Sequence, residues 1–292
     1  MFEGFEHRQI SIGSSGINLV MGGEGPPLLL LHGYPQTHVA WHAVAGRLSQ
    51  GFALIIPDLP GYGDSQGPAP DPEHRNYAKR TTANSMVELM SELGHESFLL
   101  AGHDRGGRVA YRLTLDHPER VERLAVLDIV PTLDVWEAMD WKEALETYHW
   151  PFLAQPAPLP ERLIGNDPDF YIKHLLDRWI QDGNTLDPDA AEAYLKQFHK
   201  ASVIAATCAD YRAGASLDIE HDRQDRMAGR RICCPLLAIW GRGYLKSSEG
   251  SPADSWKAWA DNVTETALDC GHFIAEEEPE ACAAELERFF SA

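Results

Sequence analysis

The sequence lacks any apolar run long enough to cross a membrane, and it does not begin like a secretion signal. No stretch approaches about 18 uninterrupted apolar residues. The opening residues MFEGFEHR lack both the basic start and the apolar run of a signal peptide. We therefore expect no membrane association and a cytoplasmic location.

The small number of cysteines and their spacing argue against a disulfide framework and against a structural zinc site. The chain has five cysteines, an odd number without paired CxxC spacing: Cys208, Cys233, Cys234, Cys270 and Cys282. Disulfide-stapled folds and structural zinc sites need paired, regularly spaced cysteines. We expect neither of these, nor any other metal or cofactor.

Positive charge is also in short supply. The chain has 25 lysines and arginines against 44 acidic residues, which gives a formal net charge of -19. Such a surface opposes a phosphate backbone, so we expect no nucleic-acid partner. The same field repels small anions at long range, and any anion site must therefore carry its own local cations.

Apolar residues are plentiful enough for one large core, since 44% of the 292 residues are hydrophobic. Alternating runs at residues 9–12 and 17–21, separated by GSSG, predict an antiparallel hairpin. Continuous apolar runs, typical of parallel strands buried on both faces, follow at residues 28–31, 53–56, 98–101, 124–127 and 236–239. Apolar residues recur at helical spacing in residues 83–93, 105–116 and 281–290. We predict an α/β fold with a mostly parallel, doubly wound sheet.

The regular alternation stops between residues 131 and 229. This stretch has no buried-strand run, but it has many helix formers, four of the eight tryptophans and proline-rich turns. We interpret it as a helical cap inserted into a core formed by residues 1–130 and 230–292. Such a cap would lie over the carboxyl ends of the strands, where open α/β sheets bind ligands.

The sharpest local motif is GHDRG, residues 102–106, which has the form G-x-D-x-G. It directly follows an apolar run and directly precedes a helical pattern. In the serine version of this nucleophile elbow, a strained strand-to-helix turn lifts the side chain into the site. Here the lifted group is the carboxylate of Asp104, and a helix N-terminus favours its ionised form. Asp104 is therefore the candidate nucleophile, and the alternative is a helix cap in a glycine-containing turn.

With this motif and four others, the chain resembles the α/β-hydrolases along nearly its whole length, and the fluoroacetate dehalogenases in particular. The motifs are HGYPQTH at 32–38, DLPGYG at 58–63, HDRG at 103–106, YHW at 148–150 and GHF at 271–273. The second motif is interpreted as a structural loop. His-Gly-x-Pro alone is also found in epoxide hydrolases.

A carboxylate nucleophile forms an ester, and clearing that ester needs a base that activates water. His272 is the candidate base, because it lies after a predicted last strand and before the C-terminal helix, where the fold places its histidine. A carboxylate should orient the imidazole. Asp128, at the end of the run 124–127, is the preferred candidate, since the dehalogenases use that position. Glu249 is the alternative.

Arg105 and Arg108 lie three residues apart at the start of the predicted elbow helix, so they share a face close to Asp104. A guanidinium group can hold a carboxylate by two parallel hydrogen bonds. The pair therefore predicts an anionic substrate, and the alternative is ion pairing with acids of the cap. Haloalkane dehalogenases and many epoxide hydrolases have tryptophan in place of Arg105, which favours a haloacid.

The resemblance implies further site residues. His149, Trp150 and Tyr211 match the halide-binding residues of the fluoroacetate dehalogenases, although each could equally serve packing alone. The backbone N–H groups of Tyr34 and Arg105 would form the oxyanion hole, with the Tyr34 ring lining the pocket. Tyr34 is a departure from the phenylalanine usual in these enzymes.

These residues together predict a hydrolytic dehalogenase that converts haloacetates, such as fluoroacetate and chloroacetate, to glycolate and halide through an ester of Asp104. One alternative is an epoxide hydrolase, in which cap tyrosines protonate the opening oxygen; the candidates are Tyr148, Tyr171, Tyr194 and Tyr211. The other is a non-enzymatic ligand-binding protein of the same fold. The sequence leaves open the halogen, the length of the acid and the oligomeric state, although dimers are common among the enzymes it resembles.

Overall fold

The computed structural model describes residues 1–13, 15–245 and 250–292, and eight strands in this part of the chain form one sheet. The strands are β1 (Glu6–Ile12), β2 (Ser15–Gly22), β3 (Pro27–Leu31), β4 (Ala53–Pro57), β5 (Phe98–His103), β6 (Val121–Leu127), β7 (Leu236–Gly241) and β8 (Val263–Leu268). Their order across the sheet is β1-β2-β4-β3-β5-β6-β7-β8. β1 and β2 form an antiparallel hairpin, β2 is antiparallel to β4, and every later pairing is parallel. The predicted hairpin and mostly parallel α/β sheet are confirmed.

The helices occupy the connections between the parallel strands and the segment that follows β8. Those outside the β6–β7 connection are α1 (His42–Leu48), α2 (Lys79–Glu92), α3 (Asp104–Asp116), α12 (Ile274–Glu277) and α13 (Pro279–Phe290). Between β6 and β7 come α4 (Thr132–Ala138), α5 (Trp141–Glu146), α6 (His149–Leu153), α7 (Leu159–Asn166), α8 (Pro168–Trp179), α9 (Pro188–Gln197), α10 (Ala201–Gly214) and α11 (Leu217–Ala228). We call α4–α11 the helical insertion. Among the described residues, no helix combines the length and apolarity needed to cross a membrane.

The apolar runs of the strands are continuous because both faces of the sheet are covered. Successive residues alternate between two buried clusters, one holding Leu29 and Leu100 and the other holding Leu28 and Leu99. Helices α2 and α3 contact each other and pack on one face, while α1 and α13 form a second pair whose apolar residues belong to the other cluster. Two-sided burial of this kind is typical of parallel sheets.

The turn from β5 into α3 has no intervening loop. β5 ends at His103 and α3 begins at Asp104, whose backbone takes a positive φ of 44°. The following turn of α3 packs against the neighbouring β3, and a Cβ atom added at Gly106 would lie only 2.4 Å from the His32 carbonyl oxygen. Glycine at this position therefore lets the helix approach the strand closely, which fixes the direction in which Asp104 projects.

Candidate active site

Asp104 is a buried carboxylate at the N-terminus of α3. Only 7% of the residue is exposed, and its Oδ2 accepts a hydrogen bond of 2.9 Å from the Tyr34 amide. Burial opposes ionisation, but His272 and the two arginines Arg105 and Arg108 lower the pKa of Asp104 below its ordinary value. The carboxylate is therefore ionised at neutral pH, as a nucleophile must be.

His272 lies between two carboxylates. Its Nδ1 is 2.5 Å from Asp128 Oδ2, and its Nε2 is 4.0 Å from Asp104 Oδ2. The second oxygen of Asp128 accepts a hydrogen bond of 2.9 Å from the Gly241 amide. Burial disfavours the imidazolium ion, but Asp128 and then Asp104 raise the pKa of His272 above its ordinary value. The structure thus brings the three predicted catalytic side chains together, while the alternative acid Glu249 lies outside the described residues.

A second histidine, His103, contacts the backbone of His272. His103 Nε2 is 2.8 Å from the His272 carbonyl oxygen, and His103 Nδ1 is 3.0 Å from Gln36 Oε1. Burial lowers the pKa of His103 to about 3, so the ring is neutral at neutral pH. A neutral ring carries one N–H and can donate to one of these two oxygens, and the contact with the His272 carbonyl oxygen joins His103 to the loop that carries the candidate base.

Arg105 is fully buried and is held by one residue of α10. Its Nε donates to Asp210 Oδ2 at 2.6 Å, and its Nη2 donates to the Asp210 carbonyl oxygen at 2.9 Å. The guanidinium carbon lies 4.1 Å from the centroid of the Tyr211 ring. Its Nη1 has no hydrogen-bond partner within the described part of the chain. The ion pairing with an insertion acid that the sequence left open therefore occurs at Arg105, yet one nitrogen is left for a ligand.

Arg108 is bound differently. Its Nη1 donates to the Val130 carbonyl oxygen and to Thr132 Oγ1, both at 3.1 Å, and its guanidinium carbon lies 4.4 Å from the Trp150 ring centroid. Neither partner is charged, and no ion pair joins Arg108 to a carboxylate among the described residues. Burial, together with the nearby Arg105, lowers the pKa of Arg108, but a guanidinium group stays protonated.

The three predicted halide-binding residues form one aromatic group. The Tyr211 ring centroid lies 5.8 Å from that of His149 and 6.1 Å from that of Trp150. Both His149 Nδ1 and the Tyr211 hydroxyl are buried without a hydrogen-bond partner in the residues the structure describes. Burial lowers the pKa of His149 to about 3, so its ring is neutral and one ring nitrogen carries a proton. Unpartnered buried polar atoms are costly, and several of them close together indicate a site for a polar ligand.

A cavity of about 540 Å³ opens onto the candidate catalytic residues. The predicted residues along its wall are Asp104, Arg108, Asp128, His149, Trp150 and His272. Tyr34, Arg105 and Tyr211 are each at most 1% exposed, and Arg105 and Tyr211 lie against the wall residue Trp150. The Tyr34 and Tyr211 ring centroids are 5.4 Å apart. The Tyr34 ring is therefore packed behind the cavity surface, whereas its amide faces Asp104. No cluster of His, Cys, Asp and Glu suited to a metal occurs in the described ranges.

Two aromatic residues that the sequence analysis assigned no role also line the cavity. The Tyr244 ring centroid lies 4.4 Å from that of His272, and the Trp179 ring centroid lies 4.5 Å from that of His149. Tyr244 follows the end of β7, and β7 pairs with β6, the strand that Asp128 follows. This position at the same edge of the sheet was a signal in the sequence. Trp179 ends α8, and nothing in its surrounding pattern distinguishes it from a packing residue.

The comparisons with known proteins agree with this fold. Residues 26–279 match the model of the α/β hydrolase fold family. The chain is 43% identical to a fluoroacetate dehalogenase from Burkholderia sp over 100% of this chain and 95% of that protein. It is 31% identical to a soluble epoxide hydrolase from Corynebacterium sp. over 98% of this chain and 97% of that protein. A solved structure of a candidate α/β hydrolase from Nostoc sp PCC 7120 superposes with a TM-score of 0.97 at 46% identity, covering 100% of this chain and 99% of that one.

Proposed function

The chain belongs to the α/β-hydrolase fold family, and from the arrangement around Asp104 we propose that it is a dehalogenase that hydrolyses haloacetates to glycolate and halide. The observation that carries this proposal is the pair of buried arginines beside an ionised carboxylate. Among the residues that the structure describes, Arg108 has no carboxylate partner and Arg105 Nη1 has no hydrogen-bond partner. A site built in this way suits a small organic anion.

In the proposed first step, the two arginines hold the substrate carboxylate so that the neighbouring carbon faces Asp104. Charge-assisted hydrogen bonds of this kind contribute about 1.5–3 kcal/mol each. Because the Tyr34 amide already holds Oδ2 of Asp104, the attacking atom is Oδ1. A carbon–oxygen bond forms, the carbon–halogen bond breaks, and the electron pair leaves with the halide.

The aromatic group of the helical insertion receives that halide in the proposed mechanism. Fluoride in particular needs hydrogen-bond donors as its charge develops. The Tyr211 hydroxyl, the protonated ring nitrogen of His149 and the indole N–H of Trp150 are the candidate donors. On this proposal residues 131–229 act as a cap that completes the site.

In the second step water attacks the ester carbonyl carbon of Asp104, and His272 takes a proton from that water. The bond between this carbon and the ester oxygen then breaks, the glycolate oxygen leaves with the proton held by His272, and Asp104 is restored as a carboxylate once its new carboxyl group ionises. Asp128 stabilises the resulting imidazolium ion, and the Tyr34 amide donates to the oxygen that becomes negative. Ester formation removes the negative charge of Asp104, which is one of the causes of the raised pKa of His272. The pKa of the base therefore falls at the stage when it must be neutral.

Epoxide hydrolysis is the second candidate function, supported by the resemblance to the Corynebacterium enzyme and by the buried, unpartnered hydroxyl of Tyr211 in the described part of the molecule. Of the other tyrosines considered, Tyr194 donates to Glu276 and is therefore engaged. A neutral epoxide would use Asp104 and a tyrosine proton but would need neither arginine.

The proposal is tested by measuring halide release from fluoroacetate and chloroacetate, with styrene oxide as a neutral substrate. We expect release from at least one haloacetate and its loss in Asp104→Asn, where the nucleophile is gone; removal of a nucleophile costs on the order of 10⁶-fold in turnover. Diol formation from styrene oxide that survives replacement of both arginines, without halide release, would favour the epoxide hydrolase instead.

A further inference from the structure

We propose that Asp210 is a positioning residue that fixes the guanidinium of Arg105, so that Nη1 alone is presented to the substrate carboxylate. This inference rests on the proposed function and deepens it. In this arrangement Arg108 supplies most of the positive charge that attracts the substrate carboxylate, and Arg105 supplies one donor that orients it.

Asp210 binds Arg105 through two different groups. Its side-chain Oδ2 accepts from Nε at 2.6 Å, and its backbone carbonyl oxygen accepts from Nη2 at 2.9 Å. A guanidinium group is planar, so two contacts on different nitrogens fix both its plane and its rotation within that plane. The Tyr211 ring then covers one face of the group, at 4.1 Å from ring centroid to guanidinium carbon.

Asp210 is itself held in place. The Tyr62 hydroxyl donates to its Oδ2 at 3.0 Å, and the Lys79 ammonium group donates to its Oδ1. Lys79 also lies 3.7 Å from Asp218 Oδ2, and no more than 5% of either Lys79 or Asp210 is exposed. A buried carboxylate with both oxygens bound does not rotate freely, so it transmits its position to Arg105.

The two arginines consequently differ in the charge of the groups that bind them. Asp210 compensates the charge of Arg105, whereas the partners of Arg108 are the neutral Val130 carbonyl and Thr132 hydroxyl. A substrate carboxylate is therefore drawn mainly by Arg108. Arg105 contributes a single oriented donor, which sets the angle at which the halogen-bearing carbon meets Asp104.

The space around the guanidinium group of Arg105 is also restricted. A Cβ atom added at Gly214, one turn beyond Asp210 on α10, would lie 3.1 Å from Nη2 of Arg105. Alanine there displaces the guanidinium without removing a charge. Because alanine also favours a helix over glycine, this variant tests position separately from folding.

The experiment compares Asp210→Asn and Gly214→Ala with the unaltered protein. Steady-state constants for chloroacetate are measured together with the inhibition constants of acetate and chloride, and acetate binding is also followed by calorimetry. Displacement by about 1 Å costs on the order of 100-fold in rate, so we expect a loss approaching that size in kcat/KM for Asp210→Asn. We expect a smaller loss in the same direction for Gly214→Ala, where the guanidinium has to move by less. Acetate should bind more weakly, and chloride, which does not use Arg105, should bind as before.

Asp225→Asn is the matched control. Asp225 is buried and pairs with Arg112, and Arg112 lies on α3 like Arg105. Asp225 also accepts from Arg230 at 3.0 Å. This variant should lose stability while keeping its kinetic constants. In the double variant Arg105→Lys with Asp210→Asn, the loss in kcat/KM should not exceed that of Arg105→Lys alone, since Asp210 acts through Arg105.

The inference is overturned if Asp210→Asn weakens acetate and chloride binding equally. It is also overturned if Asp210→Asn, like Asp225→Asn, loses stability but keeps its kinetic constants. A double variant whose loss in kcat/KM is the product of the losses in the two single variants would overturn it as well. Should Asp210→Asn fail to fold, an unchanged acetate affinity in Gly214→Ala overturns it. An unaltered protein without halide release contradicts the proposed function instead, and the calorimetric comparison of acetate binding still decides the role of Asp210.

Discussion

Asp104 and Asp128 follow neighbouring parallel strands, β5 and β6, and both adopt a left-handed backbone conformation, with φ of 44° and 55°. Residues other than glycine rarely occupy this region, and each instance costs about 1–3 kcal/mol. Hydrogen bonds hold both residues there, because Asp104 accepts from Tyr34 and Asp128 accepts from Gly241. The two strained turns direct both carboxylates toward His272.

His272→Asn should trap the covalent ester. Asp104 keeps its Tyr34 amide contact and both arginines in this variant, so halide displacement continues, but no base activates water for the second step. We expect one equivalent of halide per protein molecule from chloroacetate and a stable mass increase equal to one carboxymethyl group. Intact-protein mass spectrometry measures the adduct, and the additional change Asp104→Asn should abolish it. Continued turnover in His272→Asn would contradict the role of His272.

Acid should separate the two chemical steps. The pKa of Asp104 is lowered by its neighbours, so the nucleophile stays ionised as the pH falls. The second step instead needs a neutral His272, whose pKa is raised in the free protein and falls once the ester has formed. The neutral base is present above the pKa of His272 and is lost as the pH falls through it. Rapid-mixing measurements should therefore show an initial halide burst that persists at acid pH while steady-state turnover declines. A burst that declines in parallel with turnover would show that the first step depends on the same proton.

Gly33→Ala should impair catalysis. A Cβ atom at this position would lie 2.7 Å from the Asp104 Cβ and 2.9 Å from His103 Nδ1, so the nucleophile must shift. We expect kcat to fall on the order of 100-fold, the cost of misplacing a reacting group by about 1 Å. Gly46→Ala in α1 is the control, because a Cβ there meets nothing within 4 Å. Equal kinetic constants in the two variants would show that Asp104 tolerates the crowding.

The fold and the edge of the sheet that carries the candidate catalytic residues could be predicted from local pattern, whereas the preference for Asp128 over Glu249 came from the resemblance to the dehalogenases. Runs such as residues 98–101 and 124–127 are continuous because both faces of the sheet are buried, and parallel strands bring the residues after their carboxyl ends to one edge. Asp104, Asp128 and His272 all follow the ends of strands, so their proximity follows from topology. Their chemical roles remain predictions.

The contacts that the helical insertion and the loop after β7 make with site residues could not be predicted in this way. Asp210, Trp179 and Tyr244 meet site residues that are distant in sequence, and their positions depend on how the insertion helices and the β7 loop pack. Helical periodicity indicates which face of a helix is apolar but not which residue it meets. Arg105 illustrates the limit, because its charge was evident from the sequence whereas its pairing with Asp210 was not.

Glu276 should make the stability of the protein depend on pH between its unfolded and folded pKa values. Partial burial, aided by Glu277 and Asp187, raises the pKa of Glu276 to about 8 from an ordinary value of 4.5, despite contacts with Gln36 at 2.6 Å and Tyr194 at 3.0 Å.

The folded state binds the proton of the Glu276 carboxyl group more tightly than the unfolded state does. The contribution of Glu276 to the free energy of unfolding is therefore greatest below the unfolded pKa and is lost as the pH rises through the folded pKa. Glu276→Gln keeps the shape of the side chain but cannot ionise. Urea unfolding at a series of pH values should show the unaltered protein losing stability relative to Glu276→Gln as the pH increases from about 4.5 to about 8. Parallel stability curves would mean that Glu276 is ionised in the folded protein, and its contact with Gln36 would then be a charged hydrogen bond beside the loop that carries His272.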